Sequence, residues 1–220
     1  MPRGPRAIHA GVCYHVLNRG NNRATLFHRP ADYAAFVRLI GEAQERLRLD
    51  LFAACVMPNH FHCVVRPSGT DDIGRWMHWL LTTHAARHHL AHGTVGRVWQ
   101  GRYKAFPIEQ GDHLVTVLRY VERNAVRANL VAHACDWKWG SASWRRGPKS
   151  RAALLAEPPV ALPASWDDYV DAPQTPAEVE ELRACVKRQQ PYGTDSWMSA
   201  ASECRGFRRP RPPGRRRAGK

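Results

Sequence analysis

The sequence predicts an α/β fold, and three observations carry the prediction. Residues 12–17, 51–57, 60–66 and 103–108 alternate or run apolar over strand-like lengths. Residues 32–47 and the stretches after Asp72 and Asp112 repeat their apolar positions every three or four residues, as amphipathic helices do. The two patterns interleave as strand-helix-strand-strand-helix-strand-helix, which calls for one layered domain rather than separate helical and β blocks. With 220 residues, 44% of them hydrophobic and eight Trp, the chain can bury one ordinary core with appendages, whereas two full domains would be cramped.

The first strand runs into Asn18-Arg19-Gly20-Asn21-Asn22, a strong turn cluster. His15 shares a face with Cys13 and Leu17 and reads as a core histidine with its hydrogen bonds met inside, although it would also lie near any site on that face. The first helix presents Phe36, Leu39, Ile40, Ala43 and Leu47 as its stripe and leaves Arg38, Glu42, Glu45 and Arg46 outside it. Residues 51–57 and 60–66 are parted by Pro58-Asn59, which suits neighbouring strands or one strand broken by a turn or bulge. Strand alternation then puts His60 and His62 on one face, Phe61 and Cys63 on the other. Two such imidazoles form either a hydrogen-bonded pair or a claw for a divalent ion.

Asp72 is expected to cap a second helix carrying Ile73, Trp76, Met77, Leu80, Leu81 and His84, with Arg87, His88 and His89 at its far end. Next, Gly96-Arg97-Val98-Trp99-Gln100-Gly101-Arg102-Tyr103-Lys104 interleaves cations with aromatics. Such a segment suits phosphate contact and base stacking on a single strand; the other reading is a solvated loop whose Trp99 is core. After the last strand, Asp112 is expected to cap a helix with Leu114, Val117, Leu118 and Val121 on one stripe. Tyr120 and Asn124, four apart, fall roughly 110° and 70° from the centre of that stripe, so both sit on its border. A border tyrosine can bury its ring and keep its hydroxyl wet, so a structural role stays open beside a chemical one. His113 and Glu122 offer further polar groups nearby.

Trp137, Trp139 and Trp144 form an aromatic stretch expected to pack on the domain, which closes at about residue 145. Residues 146–175 look like a Pro- and Ala-rich linker. Thr175-Pro176-Ala177-Glu178 is a capping box with Pro at the first helical position, and it opens a helical appendage over 176–207 whose helix reaches Arg188. Residues 208–220 hold seven Arg or Lys and no acid, and so are expected to form a disordered basic tail.

Thirty-three Lys plus Arg against 19 Asp plus Glu give a formal charge of +14, the footprint of a nucleic-acid binder. No apolar run reaches the roughly 20 residues needed to span a bilayer, and residues 1–9 lack the apolar core of a signal peptide, so a soluble, cytoplasmic protein without membrane partners is expected. The six Cys are scattered without Cys-x-x-Cys or a zinc-finger ladder, and are expected to be reduced structural thiols.

Four motifs in one order resemble the REP-associated tyrosine transposases, members of the single-tyrosine HUH transposases. They are Tyr14-His15-Val16-Leu17-Asn18-Arg19-Gly20-Asn21-Asn22, Met57-Pro58-Asn59-His60-Phe61-His62, Val98-Trp99-Gln100-Gly101-Arg102 and Arg119-Tyr120-Val121-Glu122-Arg123-Asn124. The resemblance covers about residues 8–145. It implies a ferredoxin-like (RRM-like) antiparallel sheet with helices packed on it, His60, His62 and Asn124 as ligands of Mg²⁺ or Mn²⁺, and Tyr120 as the nucleophile. The partner it implies is single-stranded DNA with a palindromic hairpin, nicked and rejoined through a 5′-phosphotyrosine by a monomer or homodimer. Arg19, Asn21, Arg23, Arg97, Trp99, Gln100, Arg102 and Lys104 are then the candidate DNA contacts. One departure is Ala125, where such proteins often have Pro, which should leave the helix less sharply broken. Two other classes use overlapping features. A noncatalytic RRM-like nucleic-acid binder needs the basic and aromatic surface alone, and a hydrolytic metal-dependent nuclease uses the claw with water as nucleophile.

Overall fold

The computed structural model describes residues 8–188 and 190–205. Strands β1 (Cys13–Arg19), β2 (Asp50–Met57), β3 (His60–Arg66) and β4 (Lys104–Ile108) form one antiparallel sheet in the order β2-β3-β1-β4. Helices α1 (Pro30–Arg46) and α2 (Asp72–His92) are the two crossovers, giving the ferredoxin-like plan. Pro58 and Asn59 are the two-residue turn of a β2-β3 hairpin, in which Met57 faces His60; the register steps between Leu51 and Ala53.

Both faces of the sheet are covered, which is why its central strands read as nearly continuous apolar runs. On one face Tyr14, Val16, Phe61, Cys63, Val65, Ala54 and Val56 pack with Phe36, Leu39 and Ile40 of α1 and Ile73, Trp76 and Met77 of α2. On the other, Cys13, Cys55, Met57, Val64 and Ile108 lie under Leu114, Val117, Leu118 and Val121 of α3 (Asp112–Glu122). A change of backbone at Arg123 separates α3 from the short α4 (Asn124–Arg127).

Two expected caps are displaced by one residue. Asp71 is the N-cap of α2 and makes no side-chain cap bond, while Asp72 turns backward to accept the Gly69 N–H at 2.6 Å. Gly111 is the N-cap of α3 and Asp112 its first residue. Both carboxylates still sit in a first turn, where the helix dipole favours negative charge.

Residues 146–175 have the composition of a linker yet lie packed on the domain. After α5 (Ser141–Arg146) come α6 (Lys149–Ala152) and α7 (Trp166–Asp171), and the Ala156 N–H bonds Leu51 O at 2.8 Å. Trp166 and Val170 of α7 are buried in the α3 cluster, and that apolar anchor holds the segment down. Trp144 is fully buried and Trp139 stacks on Tyr33, so the aromatic stretch packs as expected.

The capping box forms. Thr175 N–H bonds Glu178 Oε2 at 2.8 Å, the Glu178 N–H reaches Thr175 Oγ1 at 3.3 Å, and α8 (Pro176–Arg188) follows. Tyr192 then adds a parallel bridge to the β4 edge before α9 (Asp195–Arg205). The basic tail at 208–220 lies outside the described residues. Cys13, Cys55 and Cys63 are buried free thiols. Among the described residues no helix is long and apolar enough to cross a membrane.

Candidate active site

The β2-β3 turn aims the first imidazole. Asn59 donates its Nδ2 to Arg23 O at 2.9 Å, which leaves its Oδ1 toward His60 Nδ1 at 2.7 Å. An amide held that way round accepts, so the His60 proton sits on Nδ1 and its Nε2 keeps the lone pair. His62, opposite Leu17 of β1 and Cys55 of β2, meets His15 Nε2 through its own Nδ1 at 2.7 Å. When that bond is donated by His62, its Nε2 is likewise a lone-pair nitrogen, the arrangement a metal ligand requires. The His60 and His62 rings stand 5.0 Å apart and nearly perpendicular.

All three imidazoles are held neutral. Burial lowers His60 to about 4, helped by the Arg19 and Arg127 charges, and lowers His15 to about 3, helped by Arg127. Burial also carries His62 well below the ordinary histidine range, with His15, His60 and the same two arginines adding to it. Neutral imidazoles are the form that binds metals.

The last turns of α3 and α4 face this pair. Tyr120 and Asn124 are 5% and 4% exposed, more enclosed than a helix border alone suggests, because both are overlaid by Arg127. The Arg127 guanidinium lies 4.0 Å over the Tyr120 ring and gives Nη2–H to Asn124 Oδ1 at 2.8 Å. Asn124 Nδ2 is buried without a partner. The Tyr120 ring centre is 6.1 Å from those of both His62 and His15. Ala125 is fully buried, and the chain continues through it as a helical turn, with Arg127 N–H on Arg123 O and Ala128 N–H on Asn124 O.

These groups open onto a cavity of about 650 Å³. Of the residues predicted from sequence, His60, His62, Tyr120, Asn124, Arg19, Gln100, Arg102 and Lys104 line it; Asn21, Arg23, Arg97 and Trp99 do not. Asn21 and Arg23 work through their backbones, the first bonding Val98 O and the second holding Asn59. Arg97 is exposed on the loop. Trp99 is 8% exposed against Phe36, Phe61 and His84, so the structure corrects the base-stacking expectation in favour of the core reading.

The same core ring anchors the loop that carries its neighbours. Gln100 N–H bonds Arg19 O at 2.9 Å, and Asn18 gives Nδ2–H to Gly101 O at 3.0 Å. At Gly20 the chain runs so tightly that a Cβ would meet Ala24 O at 2.4 Å. His113 and Glu122 stand apart: His113 faces Glu109 at 3.5 Å and the Tyr192 ring, while buried Glu122 accepts from Ser141, Trp166 and Arg145. Sequence reading missed Asn18, Arg127, Arg183 and Val186, all on the cavity wall. Asn18 stood in a quoted motif; Arg183 lies on a helix far along the chain and gives no local signal.

Among the described residues the wall carries five cations, Arg19, Arg102, Lys104, Arg127 and Arg183, and no carboxylate, so the cavity suits an anionic polymer. Among the described residues no group of three or more His, Cys, Asp or Glu could hold a metal. A divalent ion here would therefore need a third donor of another kind. Two neutral imidazoles and the Asn124 amide supply such a set and leave coordination positions for substrate oxygens.

Among solved structures, a REP-associated tyrosine transposase bound to a REP hairpin is similar at 22% identity and TM-score 0.52, over 64% of this chain and 82% of that one. A protein assigned as a transposase from Deinococcus radiodurans R1 is similar at 17% identity and TM-score 0.40, over 59% of this chain and 98% of that one. The first likeness bears on the fold. No curated protein matches. The model of the IS200-like transposase family matches residues 9–124, more than half the chain and the whole span from β1 to Asn124, and this chain belongs to that family.

Proposed function

We propose that the protein nicks and rejoins single-stranded DNA beside a palindromic hairpin, as a REP-associated tyrosine transposase, with Tyr120 as nucleophile and His60, His62 and Asn124 as ligands of Mg²⁺ or Mn²⁺. The observation that carries the proposal is the meeting of the Tyr120 phenol with the His62 imidazole, 6.1 Å between ring centres, on one cation-rich wall. Both groups meet within one chain, which supports a site complete within each protomer, whether the protein is a monomer or a homodimer.

A phosphodiester repels nucleophiles through its negative charge, so cleavage needs cations on the nonbridging oxygens and an oxygen placed in line with the leaving group. A bound divalent ion supplies Lewis-acid stabilisation of those oxygens. Arg19, Gln100, Arg102 and Lys104 are placed to hold the strand along the cavity. Tyr120 Oη attacks phosphorus, the bond from phosphorus to O3′ breaks, and the phenolic proton ends on the released 3′ oxygen. The product is a 5′-phosphotyrosine and a free 3′-hydroxyl. Because the ester is kept, a second 3′-hydroxyl can reverse the step and join strands without a nucleotide cofactor. Such chemistry belongs beside cellular DNA in the cytoplasm.

The test is incubation with end-labelled hairpin-bearing single strands and Mn²⁺, followed by a denaturing gel. The expected result is a denaturant-resistant protein–DNA species from the wild type and none from Tyr120→Phe, with hairpin affinity changed less than about two-fold. Scission without an adduct would indicate water as nucleophile and overturn the proposal, and binding without scission would indicate a noncatalytic RRM-like module.

A further inference from the structure

Arg127 and Arg183 both lie beyond the family match at residue 124, yet both stand on the cavity wall. Arg127 reaches it from α4 with one arm committed to Asn124 Oδ1, its plane against the Tyr120 ring and Nη1 buried without a protein partner. Arg183 comes from α8, and Val186, one turn on, lines the same wall. Both guanidinium groups line one cavity with no carboxylate on its wall among the described residues, so they repel one another as like charges do, and that repulsion adds to burial in lowering Arg127.

Helix α8 is tied to the domain before its start, at Leu182 and beyond its end. Its start is capped by Thr175 and Glu178, and the chain leading into it is gripped by Arg119 Nη2, which donates to Ala172 O at 2.7 Å and Pro173 O at 3.2 Å. Leu182, beside Arg183, is 2% exposed in the α3 cluster. Beyond its end, Tyr192 pairs with the β4 edge through Tyr192 N–H to Pro107 O and Glu109 N–H to Tyr192 O, both 2.9 Å. Two cations held in this way, one with a buried unmet donor, are stabilised by an anion between them.

Resting on the DNA reading above, we propose that Arg127 and Arg183 together seat one backbone phosphate of the bound single strand, so that α8 is part of the substrate site rather than an appendage. Arg127 couples that seat to the reacting groups, because the same guanidinium contacts Tyr120 and Asn124. The seat needs no base contact and takes any sequence.

The experiment measures full-length protein binding a fluorescent oligo(dT) strand by anisotropy, in EDTA and across a salt series. Arg183→Gln is expected to weaken binding about ten-fold and to lower the slope of log affinity against log salt by about 0.7, the value for one single-strand phosphate. Arg188→Gln, on the same helix, exposed and off the cavity wall, is the control and is expected to stay within about two-fold of wild type. Arg127→Gln should also weaken binding, and the double variant should lose less than the product of the two single losses, because both residues serve one phosphate. Equal effects of Arg183→Gln and Arg188→Gln, or losses that simply multiply, would overturn the proposal. Arg183 is exposed, so its substitution is expected to leave the fold intact, which matching thermal melts of the two proteins would check. Binding without metal or cleavage is independent of whether Tyr120 forms an adduct, so this result and the gel assay fail separately.

Discussion

An imidazole binds a metal through whichever nitrogen lacks a proton, so the groups that hold the other nitrogen set the site. Asn59 does this for His60 and His15 for His62, each at 2.7 Å. Losing such a support typically costs ten- to a hundred-fold in metal affinity. His15→Ala is therefore expected to weaken Mn²⁺ binding to the DNA-free protein by about that factor, read by calorimetry. His15→Gln, whose amide oxygen can accept the same Nδ1–H, should recover part of the loss. Wild-type affinity in His15→Ala would show that the bond does not orient His62. Strand alternation alone put His60 and His62 on one face, and the motif order pointed to Tyr120 and Asn124. The partnership of His15 with His62 was not legible, because it depends on the β1-β3 register, which joins residues 47 positions apart. Trp99 shows the opposite limit: its neighbours have the composition of a binding loop, while its own ring fills the core between α1 and α2.

At the level of elements, local signals that close within four residues were legible, and those that close through tertiary contact were not. The capping box at Thr175 formed as written, and the strand-helix order came from periodicity. The packing of residues 146–175 had no such signal, since its anchors, Trp166 and Val170, are two residues in a Pro- and Ala-rich background. Trp166 also serves a buried charge. Glu122 is 2% exposed and takes Trp166 Nε1–H on Oε2 at 2.8 Å, Ser141 Oγ–H on Oε1 at 2.6 Å, and the Arg145 guanidinium, which in turn bonds Phe52 O at 2.7 Å. This network ties α3, α5, α7 and β2 together on the α3 face of the sheet. Trp166→Phe keeps most of the ring and removes one donor from the carboxylate, so a loss of about 1–3 kcal/mol is expected in urea unfolding. Glu122→Ala should cost more, about 3–5 kcal/mol, because it leaves Arg145 without its carboxylate. Unchanged stability in Trp166→Phe would mean that α7 rests on α3 without supporting it.

Across the whole molecule, the three buried histidines His15, His62 and His84 and the half-buried His60 are neutral when folded and take up protons when unfolded. His84 is 5% exposed among the rings of Phe27, Phe36 and Trp99, and burial lowers it to about 3. A folded pKa below the unfolded value near 6.5 means that the unfolded chain binds more protons between those two values. Stability is then full above about pH 6.5 and falls as the pH drops toward 4 and 3, at up to about 1.4 kcal/mol per unit for each such group. The rising charge on a chain already at +14 acts in the same direction. The urea midpoint is therefore expected to decline steeply from pH 7 to pH 5, well above the carboxylate range. His84 separates this effect from the chemistry, since it lies in the α1-α2 layer, off the cavity wall. His84→Phe replaces a ring whose buried Nδ1 has no partner, and it should remove about 2 kcal/mol of the loss between pH 7 and pH 5 while oligo(dT) affinity at pH 7 stays at the wild-type value. An unchanged slope in His84→Phe would show that His84 accepts its proton without unfolding and would leave the acid response to the three histidines at the site.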